Sequence, residues 1–195
     1  MFYLSLDVEA SGPFPGLFSL VSVGAVAVVC QGRWKLAEDS EFYVELKPLP
    51  EAAEMAEATA VHGLTSDYLC EHALDPALAM ERFAAYHAGL EKRYGRAVGA
   101  AWPASFDLPY VGWYCQKFLG RNPLGHSGFD IASYALGLLR CSRKDLSRAM
   151  RRAGIPKPHN VNAHNALADA VEQGTLLTSL LNHAQGGGLP DEKAD

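Results

Sequence analysis

Apolar and polar positions alternate through "FYLSLDV", residues 2–8, a period-two pattern rich in β-formers that predicts a strand ending near Asp7. Two more strands are predicted at 20–29, "LVSVGAVAVV", and 41–47, "EFYVELK", separated by a polar turn over Gln31 to Lys35. Three strands in short succession predict an antiparallel meander. The period then lengthens. Residues 50–59 and 75–94 read as helices, the second capped by Asp75 with Pro76 in its first turn. A buried strand follows at 97–102, then a helix over 108–119 and a short strand at 126–131. Helices are expected over 132–139, 142–153 and 166–183, and residues 184–195 lack apolar periodicity and read as a flexible tail. A meander followed by alternating helix and strand predicts an α/β fold, with a central mixed five-stranded sheet flanked by helices.

With 195 residues, 49% of them hydrophobic, the chain is long enough to bury a full core, and one domain over residues 1–183 is expected. The net charge of -5 argues against coating nucleic acid by bulk electrostatics. A local basic surface remains, formed by Arg140, Arg143, Lys144, Arg148, Arg151, Arg152 and Lys157. It is either a path for phosphates or the solvated face of a helix. Cys30, Cys70, Cys115 and Cys141 stand singly and read as free thiols in a reducing cytoplasm. The most apolar stretch, from Ser19, falls short of the roughly 18 residues that a membrane helix needs, and no basic leader precedes the first strand. Neither an anchor nor a signal peptide is expected.

Four acids carry the candidate chemistry. Asp7 and Glu9 lie two apart on a strand and therefore share a face, where their charges repel unless a cation lies between them. The plain alternative is a solvated loop start. Asp107 follows the 97–102 strand in "AWPASFDLPY", with Phe106 packing inward, and it would serve equally as a helix cap. Asp169 lies off the apolar stripe of its helix, which runs through Leu167, Val171, Leu177 and Leu181; its alternative role is to complement the helix dipole. His164 precedes it by five positions. Inside one helix the two would point about 140° apart, so they converge only if His164 lies in the loop ahead of the helix.

The order D-x-E on a first strand, F-D after a later strand and H-x4-D at a last helix resembles the DEDDh, or DnaQ-like, family of 3'-5' exonucleases on the ribonuclease H-like fold. The resemblance spans about residues 2–183 through "LDVEASGP" (6–13), "PASFDLPYV" (103–111) and "HNALADAVEQG" (164–174), with "VHGLT" (61–65) resembling the H-G-I-T turn of the group. It implies that Asp7, Glu9, Asp107 and Asp169 hold two divalent ions, Mg²⁺ or Mn²⁺, and that His164 is the general base. It also implies release of nucleoside monophosphates from the 3' ends of single-stranded RNA or DNA.

Two such ions, about 3.5–4 Å apart, can activate water and hold a leaving group, and hard cations take carboxylate oxygens in preference to thiolates. An imidazole titrating near pH 6.5 is free to accept a proton at neutral pH. For substrate grip, backbone groups of Ala10, Ser11 and Gly12 are expected along the terminal nucleotide, with His62 and Phe106 bordering its base or sugar. The sequence departs from the family at Trp102-Pro103, where many members have His-Asn, and at Pro13, where many have leucine. Many members are dimers, so a homodimer is an expectation from resemblance alone.

Three alternatives accompany this reading. One is a proofreading or processing subunit of a larger polymerase or nuclease assembly, and another is a non-catalytic nucleic-acid-binding module. The third, a small-molecule phosphatase, usually carries D-x-D followed by Thr or Val, which "DVEASG" does not offer.

Overall fold

Strand β1 (Phe2–Ala10) occupies the middle of the sheet because both of its faces have something to bury. Phe2, Leu4, Leu6 and Val8 enter one core layer, while Tyr3, Ser5, Asp7 and Glu9 face the other way. It pairs antiparallel with β2 (Leu20–Gln31) and parallel with β5 (Ala97–Ala101). The computed structural model describes residues 1–160 and 162–186.

Among the described residues six strands form the sheet, one more than expected. The additional one is β3 (Arg33–Leu36), in the segment read as a polar turn. Its side chains alternate between exposed and half-buried, so it lacks the apolar signal of a core strand. The turn itself is tighter and centres on Gly32 at φ 79°. Strand β4 (Phe42–Glu45) and β3 share one edge of the long β2, each pairing with a different half of it. Beyond β5 lies β6 (Gly128–Asp130), so the order is β3-β2-β1-β5-β6, with β4 beside β2.

The helix expected at 50–59 begins only at residue 56, and residues 50–55 are not helical. The backbone amides of Ala53 and Met55 donate to Leu17 and Ser11 carbonyls, which ties this stretch to the loop after β1. A short helix α1 (Ala56–His62) follows, then α2 (Ser66–His72), which the periodicity missed and which Thr65 caps through its side chain. Helix α3 (Pro76–Tyr94) begins behind the Asp75 cap as predicted. Helix α4 (Ala104–Leu119) starts four residues earlier than expected and continues through Pro109. Helices α5 (Ile131–Leu138), α6 (Leu146–Arg152) and α7 (Ala166–Gly186) follow. The residues expected as a tail thus begin in helix, and those after Gly186 lie outside the described residues.

Helices α3 and α4 cover one sheet face through Met80, Phe83, Tyr110 and Tyr114. The other face is covered by α5, α6 and α7 through Ile131, Met150, Leu177 and Leu180. The half of α7 nearest the site approaches the sheet on small residues, Ala166, Ala170 and Gly174, all buried. Leu167 and Val171, expected in the contact stripe, are only half-buried. Where α7 crosses β2, a Cβ on Gly24 would lie 2.1 Å from the Ala166 carbonyl oxygen. Gly24 is the register partner of Asp7, so this close approach sets the first turn of α7 beside that acid. No described helix is long and apolar enough to cross a membrane.

Candidate active site

The acids converge where the parallel pairing of β1 with β5 stops. That ladder ends at Ser5 and Ala100, so the Val8 amide has no strand partner on the β5 side. Asp107 Oδ1, from the first turns of α4, accepts it at 3.1 Å. This anchors Asp107 beside Asp7 and Glu9, while its Oδ2 is buried without a hydrogen-bond partner. Asp107 therefore sits within the helix and not on a loop after the strand, because α4 begins at Ala104.

Asp169 arrives from the other layer. Helix α7 starts at Ala166, with Asn165 Oδ1 accepting the Ala168 amide as a cap. His164 stands just ahead of it, exposed, with φ 65°. Its backbone amide donates to Asp169 Oδ2 at 2.8 Å, and Asn160 Nδ2 donates to Oδ1 at 2.6 Å. One turn on, Gln173 Nε2 donates to Asp7 Oδ1 at 2.6 Å and so bridges α7 to β1. One ligand atom from each of Glu9, His164 and Asp169 lies within 4.8 Å of the others.

Crowding shows in the proton affinities. Burial first, then the charges of Asp107, Glu9 and Asp169, hold the Asp7 carboxyl well above the carboxylate range, against the lowering effect of Gln173. Burial followed by Asp169 and Asp107 raises Glu9 to about 8. Burial raises Asp107 to about 7 despite its two backbone hydrogen bonds. Asp169 is raised by burial, against hydrogen bonds from His164 and Asn160 and the nearby His164 charge. Four carboxyls in this state resist ionisation together unless a cation joins them.

No protein-family model matches the sequence. A 3'-5' DNA exonuclease of Escherichia coli, Cap18, is 34% identical over 175 residues, covering 90% of this chain and 89% of its own. The chain belongs to the DEDDh family of 3'-5' exonucleases. Among solved structures, the nuclease domain of 3'hExo, a DEDDh family member bound to rAMP, has a TM-score of 0.70 at 14% identity, over 95% of this chain and 92% of that one. Escherichia coli exonuclease I in complex with a dT13 oligonucleotide has a TM-score of 0.67 at 17% identity, over 91% of this chain. The chain spans only 40% of that protein's length. These two structural likenesses establish the ribonuclease H-like fold.

In this DEDDh chain the remaining expected site residues separate into two groups. Ala10, Gly12, His62 and Phe106 border a cleft of about 320 Å³ beside Glu9, together with Met55 and Val61. His62 Nδ1 accepts the Leu64 amide, its Nε2 is buried without a partner, and burial lowers its pKa. Ser11 is not in this cleft. Its hydroxyl donates to the Ala53 carbonyl and accepts the Ser19 amide, and its backbone amide and carbonyl are bonded to Ser19 and Met55. These bonds tie the loop after β1 to Ser19, Ala53 and Met55. Gly12 is held by the Tyr110 hydroxyl at its carbonyl, and a Cβ there would meet the Phe18 ring at 2.2 Å.

Sequence reasoning missed Asn160 and Gln173. Gln173 follows Asp169 by four positions, which puts the two on one helix face and is a usable signal. Asn160 lies in a loop and carries no periodic signal.

Proposed function

We propose that the chain hydrolyses single-stranded DNA from its 3' end, releasing nucleoside 5'-monophosphates, with two divalent cations held by Asp7, Glu9, Asp107 and Asp169 and with His164 as general base. The observation that carries this reading is the meeting of four carboxyls from β1, α4 and α7, each with a raised proton affinity. The residues suit the cations: the donors are hard oxygens, and Asp107 Oδ2 is buried and unpartnered. Mg²⁺ or Mn²⁺ bound there would neutralise the acids, acidify water and stabilise charge on the leaving oxygen.

The chain's own groups then have separable tasks. Water attacks the phosphorus of the last phosphodiester while its bond to the 3' oxygen of the preceding nucleotide breaks. His164, on the loop edge within reach of Glu9 and Asp169, takes the proton from the water. The departing 3' oxygen gains a proton and remains as the new strand end. Gln173 and Asn160 orient Asp7 and Asp169 by hydrogen bonds. The cleft of Ala10, Gly12, His62 and Phe106 encloses the terminal nucleoside, where Phe106 offers a stacking face. DNA is chosen over RNA because Cap18, the relative at 34% identity, is named for DNA.

A side-by-side assay tests this, using 5'-labelled single- and double-stranded DNA and RNA with Mg²⁺, Mn²⁺ or chelator. Single-stranded DNA should shorten stepwise from the 3' end with either metal and stay intact in chelator. Endonucleolytic fragments, or equal cutting in chelator, would refute the reading. A second reading, a subunit of a larger assembly, is favoured by Phe14 and Leu17, 66% and 61% exposed on the loop after β1. Copurification that is lost on Phe14→Ser and Leu17→Ser substitution would establish it.

A further inference from the structure

Two clefts adjoin the acid cluster and differ in character. The smaller one, beside Glu9, has no lysine or arginine in its lining. The larger one, about 630 Å³, is lined by Asp7, His164 and Asp169 together with Trp102, Arg151 and Lys157. A phosphodiester cut at the acids separates one terminal nucleotide from a polyanionic strand, and that strand needs cations where the terminal nucleoside does not. Of the basic residues singled out in the sequence, only Arg151 and Lys157 line this cleft. Arg148 is instead paired with Asp145 at 3.5 Å. Neither Arg151 nor Lys157 forms an ion pair among the described residues.

Their placement is built into the chain. Arg151 occupies the last turn of α6, which Gly154 terminates at φ 67° while the Ile155 amide returns to the Met150 carbonyl. Ile155 is buried in the core, and Pro156 and Pro158 flank Lys157, so the loop has few conformations at that point. Asn160 pins its far end to Asp169. Trp102 puts a large half-buried indole into the same cleft.

We propose that this cleft binds the nucleotide on the 5' side of the cut, with Arg151 and Lys157 holding its phosphate and Trp102 stacking on its base. The inference rests on the exonuclease reading above and adds to it the direction in which the strand leaves the site. Basic groups track the backbone and aromatic faces take bases without reading sequence.

The test compares kcat/KM on a single-stranded DNA oligonucleotide with kcat/KM on the p-nitrophenyl ester of thymidine 5'-monophosphate. The ester has a terminal nucleotide and a leaving group but no upstream strand. In Arg151→Ala, Lys157→Ala and Trp102→Leu the ratio of the two should fall about tenfold each, the loss of one charged contact or stack. In parallel, binding of the labelled oligonucleotide in chelator is followed by anisotropy across salt concentrations. Each charge removed should reduce the slope of log K against log salt by about 0.7. An unchanged ratio with a wild-type slope overturns the proposal while leaving the exonuclease reading intact. If the wild type cleaves neither substrate, that reading fails instead, and the salt slopes still report whether these two side chains meet phosphates.

Discussion

His164 combines two features that suit a proton carrier. Its backbone is in the left-handed region that non-glycine residues seldom adopt, and its amide is held by Asp169, so the ring projects from a fixed point while remaining exposed. His164→Ala should lower kcat by about 100- to 10,000-fold with Mn²⁺ affinity nearly retained, as read by steady-state kinetics and calorimetry. Unchanged turnover near neutral pH would remove the base assignment. Asn160 holds the neighbouring acid through its side-chain amide. Replacing it by Ala should weaken Mn²⁺ binding about 10- to 100-fold, the usual cost of losing a partner that orients a ligand. Asp107 supplies a pH-dependent test, because Asn at this position can still accept the Val8 amide. Its carboxyl is raised to about 7 in the folded chain, so the folded state retains a proton that the unfolded chain releases near pH 4. The stability this proton provides is full below about pH 4 and is lost as pH rises toward 7. In chelator, Asp107→Asn should therefore gain melting temperature over the wild type progressively between those limits, and be inactive throughout. A difference independent of pH would contradict the buried, proton-retaining acid.

At the scale of elements, the contact between α7 and β2 decides whether the acids meet. Gly24→Ala would drive a methyl group into the Ala166 carbonyl, with the helix backbone having to move. A loss of about 1–3 kcal/mol is expected from urea unfolding, together with reduced activity as Asp169 shifts from Asp7. The same contact explains what the sequence did and did not disclose. Strand β1, α3 and the acid motifs were legible because their signals are local: alternation, an Asp-Pro start, a fixed order of carboxylates. Hydrophobic size marks the α7 contact correctly at Leu177 and Leu181, which are buried, but not at Leu167 and Val171, which are half-buried. Close packing on a sheet selects small residues instead, here Ala166, Ala170 and Gly174. Strand β3 is hidden for another reason, since a four-residue edge strand with exposed Arg33 and Lys35 looks like a turn. The stretch at 50–55 has helix-forming residues, yet its amides are taken by the loop after β1 through contacts distant in sequence.

Across the whole molecule, the sheet carries acids from β1 and α4 to the place where β5 stops, and α7 brings the last one over the opposite face. Fold and site are consequently coupled through repulsion. Without metal, Asp7, Glu9 and Asp107 all favour their protonated forms, so the wild type should lose stability as pH rises from about 4 to about 8 in chelator. Saturating Mn²⁺ should restore it most at the alkaline end, as seen in melting curves with and without the ion. Calorimetric titration of Mn²⁺ into the wild type, Asp7→Asn and Asp169→Asn at pH 8 reads whether carboxyls distant in sequence form one cation-holding pocket. The wild type should take up two ions, and each substitution, one on β1 and one on α7, should reduce the number or sharply weaken the affinity. Full wild-type binding by both variants would contradict the shared pocket.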